Sequence, residues 1–160
     1  IISMWLYNKK VLKKSVLWIL DRVVIACALG AVFIRIGNFF NSEMIGKVAG
    51  DGFPLAIIFK QLDNIPRHPG QLYEAFGYVF VFLILFFLYW KTKKNTQTGF
   101  LFGLFLVLLM SVRVVVEQFK IAQIDSREDW IFGLNTGQVL SIPFVLCGLY
   151  FMFVYKPKTV

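Results

Sequence analysis

Four stretches of this chain are apolar almost without interruption: residues 16–34, 75–90, 99–119 and 136–155. A bilayer hydrocarbon core takes about 20 mostly apolar residues in a helix. A soluble amphipathic helix would instead show an apolar stripe and a polar face. Each stretch therefore predicts a membrane-spanning α-helix, the third broken by Arg113 and Glu117. Residues 1–7 read like the tail of an earlier span. Between the first two spans lies a long mixed segment, 35–74, and between the last two a shorter one, 120–135. The pattern predicts an all-α, polytopic membrane helix bundle of about four transmembrane helices. Residues 1–160 then form one membrane domain, with a polar loop between its first two helices.

Composition agrees. Of the 160 residues, 58% are hydrophobic and 18 are Phe, and the mean hydropathy is +0.70. Soluble domains run at roughly 45–50% apolar even with Gly counted. The net charge of +8 would suit nucleic acid, but its distribution argues for a membrane. Lys9, Lys10, Lys13 and Lys14 precede the first span, Lys91, Lys93 and Lys94 follow the second, and Lys156 and Lys158 follow the fourth. No acid lies among them. Four spans put all three groups on one side, which the positive-inside rule assigns to the cytoplasm. They hold nine of the 17 basic residues, so the excess charge reports topology and anionic lipid contact rather than nucleic acid. Eight of the nine acids go with the opposite ends of the spans. Only Asp21 lies at an inner end.

Some residues have structural readings. Cys27 and Cys147 sit inside apolar runs, with no CxxC pair or Cys/His cluster, which predicts buried free thiols and neither a disulfide nor a metal site. Gly99 and Gly103 form a GxxxG pair that permits close helix packing. Trp18, Tyr89, Trp90, Trp130 and Tyr155 fall near span ends, where aromatic rings favour the interface. Asn135 or Thr136 can cap the fourth helix, and Pro69 suits the entry to the second.

The outer-end polar residues are the candidates for chemistry. Arg113 and Glu117 are four apart and share a helix face. A lone Arg at a helix centre costs about 2.5–3.5 kcal/mol on insertion scales, so such residues pair or face a cavity. Arg35, Asn38, Asn41 and Glu43 place donors and an acid within nine residues, flanked by Gly37 and Gly46. Arg suits a phosphate because its planar fork donates two hydrogen bonds. Arg67 and His68, the sole histidine, open the second span with Tyr73 close behind. His68 either acts as a general base or hydrogen-bonds a loop. Two or more arginines at one level suggest a phosphate-bearing lipid headgroup, and the nearby carboxylates could accept or orient a proton.

These segments resemble prolipoprotein diacylglyceryl transferases. One block is Arg35-Ile36-Gly37-Asn38-Phe39-Phe40-Asn41-Ser42-Glu43 with Gly46. A second is Arg67-His68-Pro69 with Gln71-Leu72-Tyr73-Glu74, a third Arg113 with Glu117, and a fourth residues 135–143. Departures include Leu109, where many members carry Tyr, and Ile34 and Gly70. The resemblance implies the C-terminal part of a longer, seven-span enzyme of the bacterial cytoplasmic (inner) membrane. Its implied partners are phosphatidylglycerol and the signal peptide of a preprolipoprotein, whose lipobox cysteine takes up the diacylglyceryl group as a thioether while glycerol 1-phosphate leaves. It implies no metal and no organic cofactor. The implied catalytic residues are Arg113, Glu117, Glu43 and His68, and the implied substrate-binding residues Arg35, Asn38, Asn41, Gly46, Arg67 and Tyr73. Two other readings compete. A transporter or channel module would line a path with Arg113 and Glu117, and a structural membrane subunit would use them as an ion pair.

Overall fold

The computed structural model describes residues 6–50, 52–92, 97–120, 134 and 136–155. Four helices are long and apolar enough to cross a membrane. They are α1 (Val16–Phe40), α2 (Gly70–Lys91), α3 (Phe100–Glu117) and α4 (Thr136–Leu149). A π-helical turn, Tyr150–Val154, prolongs α4, and another, Asn8–Leu12, precedes α1. The side chains at the chain's start and at Lys93, Lys94, Trp130, Asn135, Lys156 and Lys158 lie outside the described residues, as does that of Thr136.

The helices alternate in direction, α1 packing against α2 and α3 against α4, with α3 also contacting the first two. A dry seam of Ala28, Val81, Leu85 and Leu101 runs between them. Most other apolar side chains point outward, Phe33, Phe76, Trp90 and Phe153 among them. In a bilayer that outward surface is solvated by lipid, so burial inside the bundle is not what selects apolar residues here. Small residues let backbones approach instead. A Cβ on Gly103 would lie 2.6 Å from the Gly148 carbonyl oxygen, and the reverse holds equally. The close pair is thus Gly103 with Gly148 across α3 and α4. Gly99 has another use, capping α3 at φ +91°.

The ends of the bundle are distinct. At one end Gly99 approaches Leu17 and Tyr155, and Arg22 lies 5.7 Å from the Tyr89 ring, so the start of α1, the end of α2 and the turn that prolongs α4 lie together. The buried Asp21 carboxylate on α1 accepts the backbone N–H groups of Gly99 (2.6 Å) and Phe102 (2.8 Å). The first N–H groups of any helix lack partners within it, and a neighbouring helix supplies the acceptor here. Beside it Arg22 stacks on Trp18 at 3.4 Å and donates to the Trp18 carbonyl at 2.7 Å.

At the other end α1 runs further than its apolar pattern predicts. Arg35 and Asn38 belong to its last turns, and the helix stops at Phe40. Ser42 and Met44 then take left-handed conformations, at φ 55° and 56°. The loop holds a two-residue hairpin, β1 (Ile57–Ile58) with β2 (Pro66–Arg67), pairing Ile57 with Arg67. Residues 46–49 lace this end together. Lys47 donates its N–H to the Phe119 carbonyl (2.8 Å) and accepts from His68 N–H (3.0 Å), while Ala49 donates to Pro66 (2.9 Å).

Candidate functional site

The end of α1, the start of α2 and the end of α3 converge on one buried carboxylate. Glu74, one turn into α2, is fully enclosed, at 0% exposure. Arg35 Nε approaches its Oε2 at 2.8 Å and Lys120 Nζ its Oε1 at 3.0 Å. Lys120 also reaches Glu117 Oε2 at 3.6 Å. An isolated ion in such a place is prohibitively costly, and mutual pairing is what makes the arrangement tolerable. The helix of α1 persists past its apolar stretch because Arg35 has a carboxylate to meet.

The rest of the cluster builds outward from these contacts. With its carboxamide oxygen turned to Arg35, Asn38 accepts from Nη1 at 3.2 Å. Tyr78, one turn below Glu74 and buried, lies within the fields of Arg35, Glu74 and Arg113. Arg113 Nε is buried with no hydrogen-bond partner among the described residues. Glu117 pairs with Lys120, three residues on. It also packs tightly on α4, since a Cβ on Gly137 would come 2.6 Å from its carboxyl carbon. Gln138 clamps the same helix down by donating to the Val114 carbonyl at 3.1 Å.

The other predicted residues stand around this cluster. Glu43 presents an exposed carboxylate, while its backbone carbonyl accepts from the buried Gln71 carboxamide. Asn41 is the exposed C-cap of α1. Gly46 lies against the His68 backbone carbonyl so closely that a Cβ would collide with it. Arg67 points away from the cluster. It forms a two-pronged pair with Asp63, at 2.6 Å from Nη2 and 3.2 Å from Nε. That hydrogen bond holds the Asp63 carboxyl below the usual carboxylate range. His68 sits in an aromatic box of Phe53, Tyr73 and Phe119, with ring centroids 4.7, 6.2 and 5.6 Å away. Its Nδ1 is 3.2 Å from the Tyr73 hydroxyl. An apolar cavity of about 570 Å³ opens beside that box, between residues 54–57 and Leu72, Tyr73 and Phe76.

Glu74 and Lys120 join the cluster although charge spacing did not single them out. The available signals were the three-residue step from Glu117 to Lys120 and the position of Glu74 four before Tyr78 on one α2 face. Chemically, the arrangement sets the cations Arg35, Lys120 and Arg113 beside carboxylates in a partly enclosed place.

The family described as prolipoprotein diacylglyceryl transferase matches residues 1–154. The phosphatidylglycerol–prolipoprotein diacylglyceryl transferase of Bacteroides fragilis is 44% identical over 158 residues, covering 99% of this chain and 55% of that protein. The protein of the same name from Tolumonas auensis is 41% identical over 152 residues, 95% of this chain and 57% of its own length. That of Chloroherpeton thalassium is 40% identical over 151 residues, 94% and 55% respectively. The chain thus spans little more than half the length of these relatives. With the family model matched over nearly its whole length and relatives at 40–44% identity, the chain belongs to the prolipoprotein diacylglyceryl transferase family.

Proposed function

We propose that this chain is the C-terminal part of a seven-span enzyme of the bacterial cytoplasmic membrane, and that the enzyme moves a diacylglyceryl group from phosphatidylglycerol to the lipobox cysteine of a preprolipoprotein. The lysine-bearing ends then face the cytoplasm and the Arg35 cluster the extracytoplasmic side. The observation that carries the reading is an enclosed array of cations at one end of a lipid-facing bundle, including a buried guanidinium nitrogen that lacks a partner among the described residues.

Arg35 has five N–H donors. Glu74 takes the Nε side and Asn38 one donor at Nη1, which leaves donors of the fork for a lipid phosphate. Asn41, Glu43 and Gly46 shape the loop above that headgroup, and Arg67 with Asp63 holds the hairpin beside it. The substrate thiol must first lose its proton, because the thiolate is the nucleophile. His68 with Tyr73 is one candidate for that base and Glu117 another. The sulfur attacks the glyceryl carbon that bears the phosphate. The C–S bond forms, the C–O bond breaks, and its electrons leave with glycerol 1-phosphate. Arg113 faces the charge that grows on the departing phosphate, and donors aimed this way commonly supply about 3–4 kcal/mol.

The test is transfer from labelled phosphatidylglycerol to a lipobox peptide by the family-length protein. Arg35→Ala is expected to abolish thioether formation, and Arg113→Lys to slow it strongly because the fork is lost. Unchanged transfer by both variants refutes the phosphate roles. It would instead favour a structural cluster.

A further inference from the structure

The cluster at the outer end carries a countable charge. Arg35 and Lys120 pair with Glu74, Lys120 also reaches Glu117, and Arg113 lies close enough to act on Tyr78 beside them, so three cations stand with two carboxylates. Among the described residues the cluster is one positive charge in excess. Glu74 is central to that balance. It pairs with two cations, Arg35 of α1 at 2.8 Å and Lys120 just past α3 at 3.0 Å, and no part of it is exposed.

Resting on the phosphoester reading above, we infer that Glu74 is a positioning residue that tunes this site to a monoanionic phosphodiester and against a dianionic phosphate monoester. A phosphodiester carries one negative charge and brings the cluster to neutrality. A phosphate monoester has its second ionisation near pH 6, so at neutral pH it carries between one and a half and two charges. It would leave the cluster negative in an enclosed place where the imbalance is weakly screened. The donor lipid is a diester and the leaving group a monoester. The same carboxylate that aims Arg35 therefore favours loading of donor over retention of product. Without Glu74 the pocket would hold two surplus positive charges and would be expected to retain the monoester.

The measurement uses the family-length protein and two soluble competitors of phosphatidylglycerol in the transfer assay. One is glycerophosphoglycerol, a monoanionic diester, and the other is glycerol 1-phosphate. The expected result for the unmodified protein is stronger inhibition by the diester. Glu74→Gln should shift the inhibition ratio toward the monoester by on the order of tenfold, as expected for one added charge at close range. Glu74→Asp keeps the charge and should keep the ratio, whatever it does to turnover. Lys120→Met removes a cation and should move the ratio the opposite way, which preserves the test should Glu74→Gln not fold. A change in turnover with an unmoved ratio in both Glu74→Gln and Lys120→Met overturns the inference and leaves Glu74 a purely structural pair. Inhibition of the unmodified protein by neither competitor, with no transfer from phosphatidylglycerol, overturns the phosphoester reading itself.

Discussion

Asp21→Ala should be the most destabilising single change at the lysine-bearing end. The carboxylate is 1% exposed and accepts two N–H groups from the first turn of α3, at 2.6 and 2.8 Å. Truncation strands both donors, at about 1–3 kcal/mol for each unsatisfied group, and removes a negative charge from a helix N-terminus, worth up to about 2 kcal/mol in partly buried geometry. Relief of the cost of burying a carboxylate offsets part of this. The net loss should be about 2–4 kcal/mol. Asp21→Asn keeps one acceptor oxygen and should cost roughly half as much. The assay is unfolding of the family-length protein in mixed micelles titrated with a denaturing detergent, followed by circular dichroism. A loss under about 1 kcal/mol for Ala, or equal losses for Ala and Asn, would refute the idea that Asp21 serves α3 as a cap provided by α1.

Two further outcomes follow from the loop end. Gly46→Ala drives a Cβ into the His68 carbonyl oxygen, which as backbone cannot rotate away. It should cost about 1–3 kcal/mol and loosen residues 46–49, seen as faster amide exchange at Lys47 and His68. The Asp63–Arg67 pair should weaken in acid. The folded-state value of Asp63 lies below its ordinary one, so the pair's contribution is complete above the ordinary carboxylate pKa of about 3.9 and fades as pH falls through the lowered value. Carboxyl chemical shifts of Asp63 followed from pH 6 downward should show a midpoint below 3.9, and a midpoint at or above that figure would contradict the pairing.

The helices were legible because lipid imposes one composition over a whole span. Continuous apolar runs mark α1 to α4 within a few residues of their ends. Periodicity could not show where α1 stops, since its last turns are polar and depend on Glu74, 39 positions away along the chain from Arg35. Asp21 stood out as the lone acid at its end, but its partner Gly99 lies 78 residues on. Within the site, the level of each charged residue was readable and its pairing was not. Arg113 and Glu117 share a helix face by spacing, and Lys120, which spacing did not single out, also reaches the Glu117 carboxylate at 3.6 Å. Arg67 belongs to the same end, yet a loop acid four residues before it satisfies its fork. Spacing fixes which side chains share a helix face, but pairing across elements depends on how the loop folds over the helix ends.

The lacing by residues 46–49 has a bearing on motion. Lys47 is hydrogen-bonded to Phe119 after α3 and to His68 before α2, so those two helix ends cannot part without breaking main-chain bonds. Glu74 and Lys120 bolt the same gap from beneath. The loop-side ends of α2 and α3 are therefore one mechanical unit, so a displacement of either helix end is handed on to the other through Lys47 and the Glu74–Lys120 pair.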